Sequence, residues 1–93
     1  MIEATKIFRK RADARYRNVG GEGVVVRQTA GEVLVLNEVG VRVLDLLAAG
    51  TSVANVVTVL IAEYEVDQAT AELDLVRYIH ELLDAGIIES GDA

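Results

Sequence analysis

Apolar and polar positions along this 93-residue chain follow two different periods, one before Asn37 and one after it. Between Ala14 and Leu36 the apolar residues come in short runs, "ARYRNV", "VVVRQ" and "EVLVL", separated by the glycines at 20, 21 and 23 and by "TAG". Runs of this length, rich in β-branched residues and bounded by turn residues, predict three strands. The two short connections predict an antiparallel meander. In the first strand Tyr16 and Asn18 fall on one side, with Arg15, Arg17 and Val19 on the other.

After Leu36 the spacing becomes helical. Asn37 is a natural N-cap, and Glu38 adds negative charge where the helix dipole favours it. The helix that follows puts Val39, Val43, Leu44, Leu46 and Leu47 on one apolar face and stops near Gly50. Gly40 inside it costs about 1 kcal/mol against Ala, which is intelligible if something packs closely there. Thr51 or Ser52 caps a second helix reaching Tyr64, with Val53, Val56, Val57, Leu60 and Ile61 as its buried stripe. Asp67 caps a third, longer helix reaching Ala85, with Gly86 as its C′ residue and "IIE" running back along the body. Leu75, Val76, Ile79, Leu82 and Leu83 form the centre of its apolar face, flanked by Leu73, Asp74, Arg77, Tyr78 and His80.

Three small strands followed by three amphipathic helices predict an α+β domain, a three-stranded antiparallel sheet with helices over one face, winged-helix-like in layout. Its divisions are a basic N-terminal arm over residues 1–13, the domain over 14–89 and a short tail over 90–93. In such a meander the middle strand is paired on both sides, and the outer two are edges. Arg15 and Arg17 guard the first edge. The third strand has Glu32 and then four apolar residues, Val33, Leu34, Val35 and Leu36, and an edge so unguarded invites another strand. A covering loop, a dimer contact or simple completion of the core would answer the same pattern.

Charge sharpens this picture. The net charge of −6 divides into +4 over residues 1–20 and −10 over the rest. An acidic body repels phosphate backbones, and the arm reads as a solvated basic tail. The third helix offers Arg77 and Gln68 beside Glu72, Asp74, Glu81 and Asp84, and the second has no basic residue, which is poor equipment for reading DNA. Chemistry is equally scarce. There is one histidine, His80, and no cysteine, and "GGEG" lies in a hairpin rather than ahead of a helix, so no phosphate-cradling loop is formed. The expectation is a non-catalytic protein with no cofactor or metal. The longest apolar run, "VVTVLIAEY", is too short to cross a bilayer and no signal peptide opens the chain, which predicts a cytoplasmic protein without a membrane partner.

The unguarded edge points instead to peptide capture by strand addition. Ordering a flexible peptide costs about 2–5 kcal/mol, so side-chain pockets must supplement the backbone bonds. The flank of the third helix is the expected second wall. The candidate peptide-binding set is therefore Glu32, Val33, Leu34, Val35 and Leu36 on the strand with Leu73, Asp74, Val76, Arg77 and His80 on the helix. Acidic Asp74 and Glu72 on that wall would favour a peptide carrying Lys or Arg. Which parity of the strand turns its N–H groups outward is left open.

"EVLVLNEVGVRVLDLLAAG", with Leu36-Asn37-Glu38 at its centre, then "AEYEVD" and "ELDLVRYIHELLDAGII", resembles the PqqD-like family over roughly residues 10–89. The likeness rests on the strand–Leu-Asn-Glu–helix junction, the stop at Gly50, the Glu-Tyr-x-Val-Asp link and the spacing Asp74…Tyr78…Leu82…Gly86. It implies a non-catalytic adaptor that binds the leader of a ribosomally made precursor peptide on its third strand. Such an adaptor presents the peptide to a modifying enzyme, often of the radical S-adenosylmethionine type. No nucleic-acid partner is expected, and the adaptor would be a monomer or weak homodimer. The alternative, from the layout alone, is a winged-helix DNA-binding transcriptional regulator.

Overall fold

Alternation in the strands and the helical stripes fold onto one another in a computed structural model, which describes residues 2–91. Five strands and three helices follow in the order β1 (Phe8–Lys10), β2 (Ala14–Val19), β3 (Glu22–Arg27), β4 (Glu32–Leu36), α1 (Glu38–Ala48), α2 (Val53–Tyr64), α3 (Gln68–Asp84) and β5 (Ile88–Ser90). β2, β3 and β4 form the expected antiparallel meander in that order. Val24 pairs with Val35 and Val25 with Leu34, so β3 and β4 present alternate residues to the same faces. Val25 and Leu36 enter the core on the inner face, with Val43, Leu44, Leu47, Leu75, Ile79 and Leu82 from the helices.

The helix ends follow the local chemistry of the sequence. The Asn37 side chain accepts from Gly40 N, the Ser52 side chain accepts from Asn55 N, and Gly50 and Gly86 take positive φ just past α1 and α3. Gly23 permits a contact no other residue would, since a Cβ there would overlap the Val41 side chain. α1 thus lies directly on β3.

Two expectations differ from the structure. Phe8–Lys10, placed in the solvated arm, pairs with Ile88–Ser90 in a separate two-stranded sheet. Phe8, only 4% exposed, anchors it, a feature that a count of charges passes over. Residues 90 and 91 of the expected tail take part, Ser90 as the end of β5 and Gly91 by donating to Ile7 O; Asp92 and Ala93, like Met1, lie outside the described residues. The second difference is the rotation of α3. Tyr78, expected on the flank, is buried, while Val76 is half-buried and Leu83 exposed. The cause is the close approach of the Tyr78 ring to Gly40 on α1, which turns the helix toward that side. No helix among the described residues is long and apolar enough to cross a membrane.

Candidate functional site

Which main-chain groups of β4 are free follows from the ladder. Gln28 N–H donates to Asp13 O at 3.0 Å, which makes that pair, and every second pair along β2 and β3, the hydrogen-bonded kind. Residues 24 and 26 therefore bond β2, and Gly23, Val25 and Arg27 bond β4. Their partners Leu36, Leu34 and Glu32 turn N–H and C=O inward. Val33 and Val35 turn theirs to the open side. Two other bonds agree with this parity: Arg27 O accepts from Gly31 N on the β4 side, and Ala14 N, facing away from β3, donates to Arg11 O.

The outward main-chain groups of Tyr16 and Asn18 on β2, like those of β4, have no partner among the described residues, so the two edges differ at Ala14 and in the depressions that lie beside β4. On β2 the outward groups of Ala14 are occupied, its N–H by Arg11 O and its C=O by Lys10 Nζ at 2.6 Å. On β4 no partner for the outward groups of Val33 or Val35 exists among the described residues. Their side chains are 64% and 57% exposed on the outer face.

Beside this edge, between β4 and α3, lie two depressions. A cleft of about 270 Å³ is lined by Val35, Leu36, Asn37, Arg77, Tyr78 and Glu81. A smaller recess of about 90 Å³ is lined by Val25, Val33, Leu34, Ala85 and Ile87, with Arg27 and Glu32 at its polar side. Their walls come from one stripe of α3, since Arg77 or Tyr78, Glu81 and Ala85 repeat at helical spacing. A larger recess, about 480 Å³, lies between Arg9, Arg11, Thr29 and Glu89. Its charges are already paired, Arg9 and Arg11 with Glu89 and the Thr29 hydroxyl with Asp13. The open edge, with its unpaired main chain, is the better candidate.

Of the residues expected in the site, Val35, Leu36 and Arg77 meet at the cleft, and Glu32, Val33 and Leu34 at the recess. Leu73, Asp74, Val76 and His80 line neither. Asp74 instead pairs with Arg77 at 3.6 Å, and Leu73 and His80 are exposed elsewhere on α3. Glu72 accepts from Gln68. The wall of the cleft thus carries one cation, Arg77, and one anion, Glu81, in place of the acidic wall expected from Asp74 and Glu72. Asn37, Tyr78 and Glu81 were not among the expected residues. Tyr78 hydroxyl donates to Asn37 Oδ1 at 2.9 Å, closing the end of the cleft. The helical spacing of Asp74, Tyr78 and Glu81 was the signal that could have found the latter two. Among the described residues no cluster of three His, Cys, Asp or Glu side chains could hold a metal ion.

Comparison with known proteins bears on this edge. Residues 22–88 match the family model described as coenzyme PQQ synthesis protein D (PqqD). Among solved structures the chain is similar to TbiB1 in complex with the TbiA(beta) leader peptide, at 28% identity and a TM-score of 0.82, covering 91% of this chain and 98% of that one. It is also similar to a lasso peptide synthetase B1 complexed with the leader peptide, at 28% identity and a TM-score of 0.80, covering 88% and 96%. No curated protein matches the sequence.

Proposed function

The chain belongs to the PqqD family, and from that premise we propose that it captures the leader segment of a ribosomally made precursor peptide as a fourth strand on β4 and presents it to a modifying enzyme. The observation that carries the reading is the row of outward, unpaired main-chain groups at Val33 and Val35 beside a cleft. Leader peptides bound to the two similar proteins support it. The chain's own part is recognition, and the chemistry belongs to the enzyme served, of the radical S-adenosylmethionine type or another.

Magnitudes assign the work. Two outward residues offer up to four main-chain hydrogen bonds, together worth roughly 2–6 kcal/mol net. Ordering the peptide costs about 2–5 kcal/mol, so the backbone alone yields little affinity. Side chains entering the cleft and the recess supply the remainder, at about 25 cal/mol for each Å² of apolar surface buried. Successive inward-facing peptide residues are two apart, so they can reach both depressions along the strand.

Proline substitution tests this directly. Val33→Pro and Val35→Pro each delete an outward donor and leave the β3–β4 ladder whole, so the fold should persist while binding of a fluorescein-labelled leader, taken from the precursor encoded nearest the gene, is lost. Leu34→Pro deletes an inward donor and should unfold the hairpin. Full leader binding by folded Val33→Pro and Val35→Pro would disprove strand addition at β4.

A further inference from the structure

Asn37 does more than cap a helix. Its Oδ1 accepts two hydrogen bonds, from Gly40 N–H at 2.8 Å and from the Tyr78 hydroxyl at 2.9 Å. Two donors fill the two lone pairs of an amide oxygen and fix which way the planar group faces. The amide nitrogen is thereby turned away from both, and its two N–H groups have no partner among the described residues. Asn37 also lines the cleft beside Val35, one residue beyond the inward-facing Leu36, so its own N–H continues the outward row of Val33 and Val35.

Capping alone does not require this. An oxygen suffices, as Ser52 shows at α2 with a hydroxyl, and Asp serves as well as Asn at the N-cap. What Asn adds over Asp is a pair of donors, held in place because rotation would break two bonds. Such a group has lost its rotamer freedom before anything binds. Once a peptide covers it, those donors need an acceptor, and a peptide without one leaves them buried and unsatisfied.

Resting on the reading of β4 as a peptide-binding edge, we propose that Asn37 is a specificity-determining residue, whose side-chain NH2 donates to an oxygen acceptor of the bound leader at the α1 end of the cleft. The acceptor is a main-chain carbonyl or a side-chain oxygen of the leader, the same chemistry from two sources.

Asn37→Asp tests this role, because it keeps an oxygen for Gly40 and Tyr78 and removes the donors, adding a negative charge that the leader series control for. Thermal unfolding should be close to wild type, while affinity for the labelled leader should fall about tenfold or more. Two leader series separate the sources: alanine replacement of each oxygen-bearing side chain, and amide-to-ester replacement that weakens each carbonyl in turn. The leader that has lost the relevant acceptor should bind wild type more weakly and be indifferent to Asn37→Asp. Undiminished affinity in Asn37→Asp overturns the proposal, as does an equal loss for every leader in both series, which would mark the added charge as the cause. Should Asn37→Asp not fold, wild type answers by NMR: the Asn37 side-chain amide protons should shift and exchange more slowly on saturation with leader, and unchanged exchange overturns the proposal. The two readings fail differently. If wild type binds no leader, the functional reading falls and this one with it. If wild type binds and Val35→Pro does not, yet Asn37→Asp matches wild type, only the role of Asn37 falls.

Discussion

At the scale of single residues, the site is set by contacts that leave no room for an extra atom. Gly23 lies where a Cβ would overlap Val41, and Gly40 where one would come within 3.1 Å of the Tyr78 ring and 3.2 Å of Leu36. These two approaches bring α1 and α3 against the end of β4, and so determine how wide the cleft is. Gly23→Ala should therefore destabilise the fold by about 1–3 kcal/mol, since a β-branched Val in a helix has little freedom to turn aside. Val41→Ala in the same chain should recover much of the loss. Denaturant unfolding of the three variants reads both effects, and additive losses in the double variant would show that the two positions do not meet. The proline series at 33, 34 and 35 also belongs to this scale, because the outcome alternates residue by residue with the direction of one N–H.

At the scale of elements, the stretch ahead of β1 supports α2. Val53 N–H donates to Lys6 O at 3.0 Å and Ala54 N–H to Ala4 O at 2.9 Å, so two of the donors that a helix start leaves without intrahelical partners are met by a distant segment. Ser52 supplies a third bond, to Asn55 N–H, from its side chain. Deletion of residues 2–7 should lower stability by about 2–4 kcal/mol through the two bonds lost at α2 and the bond lost from Gly91 N–H to Ile7 O. Amide exchange should quicken first in the opening turn of α2, and β4 should retain its leader affinity because it lies on the other sheet. An unchanged melting temperature after the deletion would refute this supporting role.

Across the whole molecule, charged side chains tie the sheet to the end of α3. Arg27 reaches Ala85 O at 3.3 Å, Asp13 at 3.4 Å and Glu32 at 3.6 Å, and Asp13 also meets the Thr29 hydroxyl and Arg11. The Thr29 hydrogen bond, with the charges of Arg27 and Arg11, holds the Asp13 carboxyl below its ordinary 3.8 against the opposing effect of desolvation. A depressed carboxyl favours the folded state above its unfolded pKa, and that contribution is lost as pH falls through the folded value. Wild type should therefore lose stability below about pH 4. Asp13→Asn should be less stable than wild type at pH 7 and should lose less on transfer to pH 3. Equal losses in the two proteins, measured by thermal unfolding at both pH values, would place the acid sensitivity elsewhere.

The sequence by itself determined the elements. Alternation and turn glycines marked β2 and β4 to the residue, and local capping chemistry placed Asn37, Gly50 and Gly86 and narrowed the second cap to Thr51 or Ser52, because each of these signals acts over a few neighbouring residues. It also marked β4 as the unguarded edge, since Val33 to Leu36 carry no charge. Phe8 gave too short a run to announce β1, whose partner lies some eighty residues away. Tertiary structure alone decided which N–H groups of β4 are free, because parity follows from the register of β2 on β3. It also decided which face of α3 meets the edge, because the rotation that seats Tyr78 on Gly40 and Asn37 is fixed by packing between helices. Arg77 was legible as a wall of the cleft and the spacing from Tyr78 pointed to Glu81, while Asn37 read only as a cap, because its place beside the cleft depends on the seating of Tyr78.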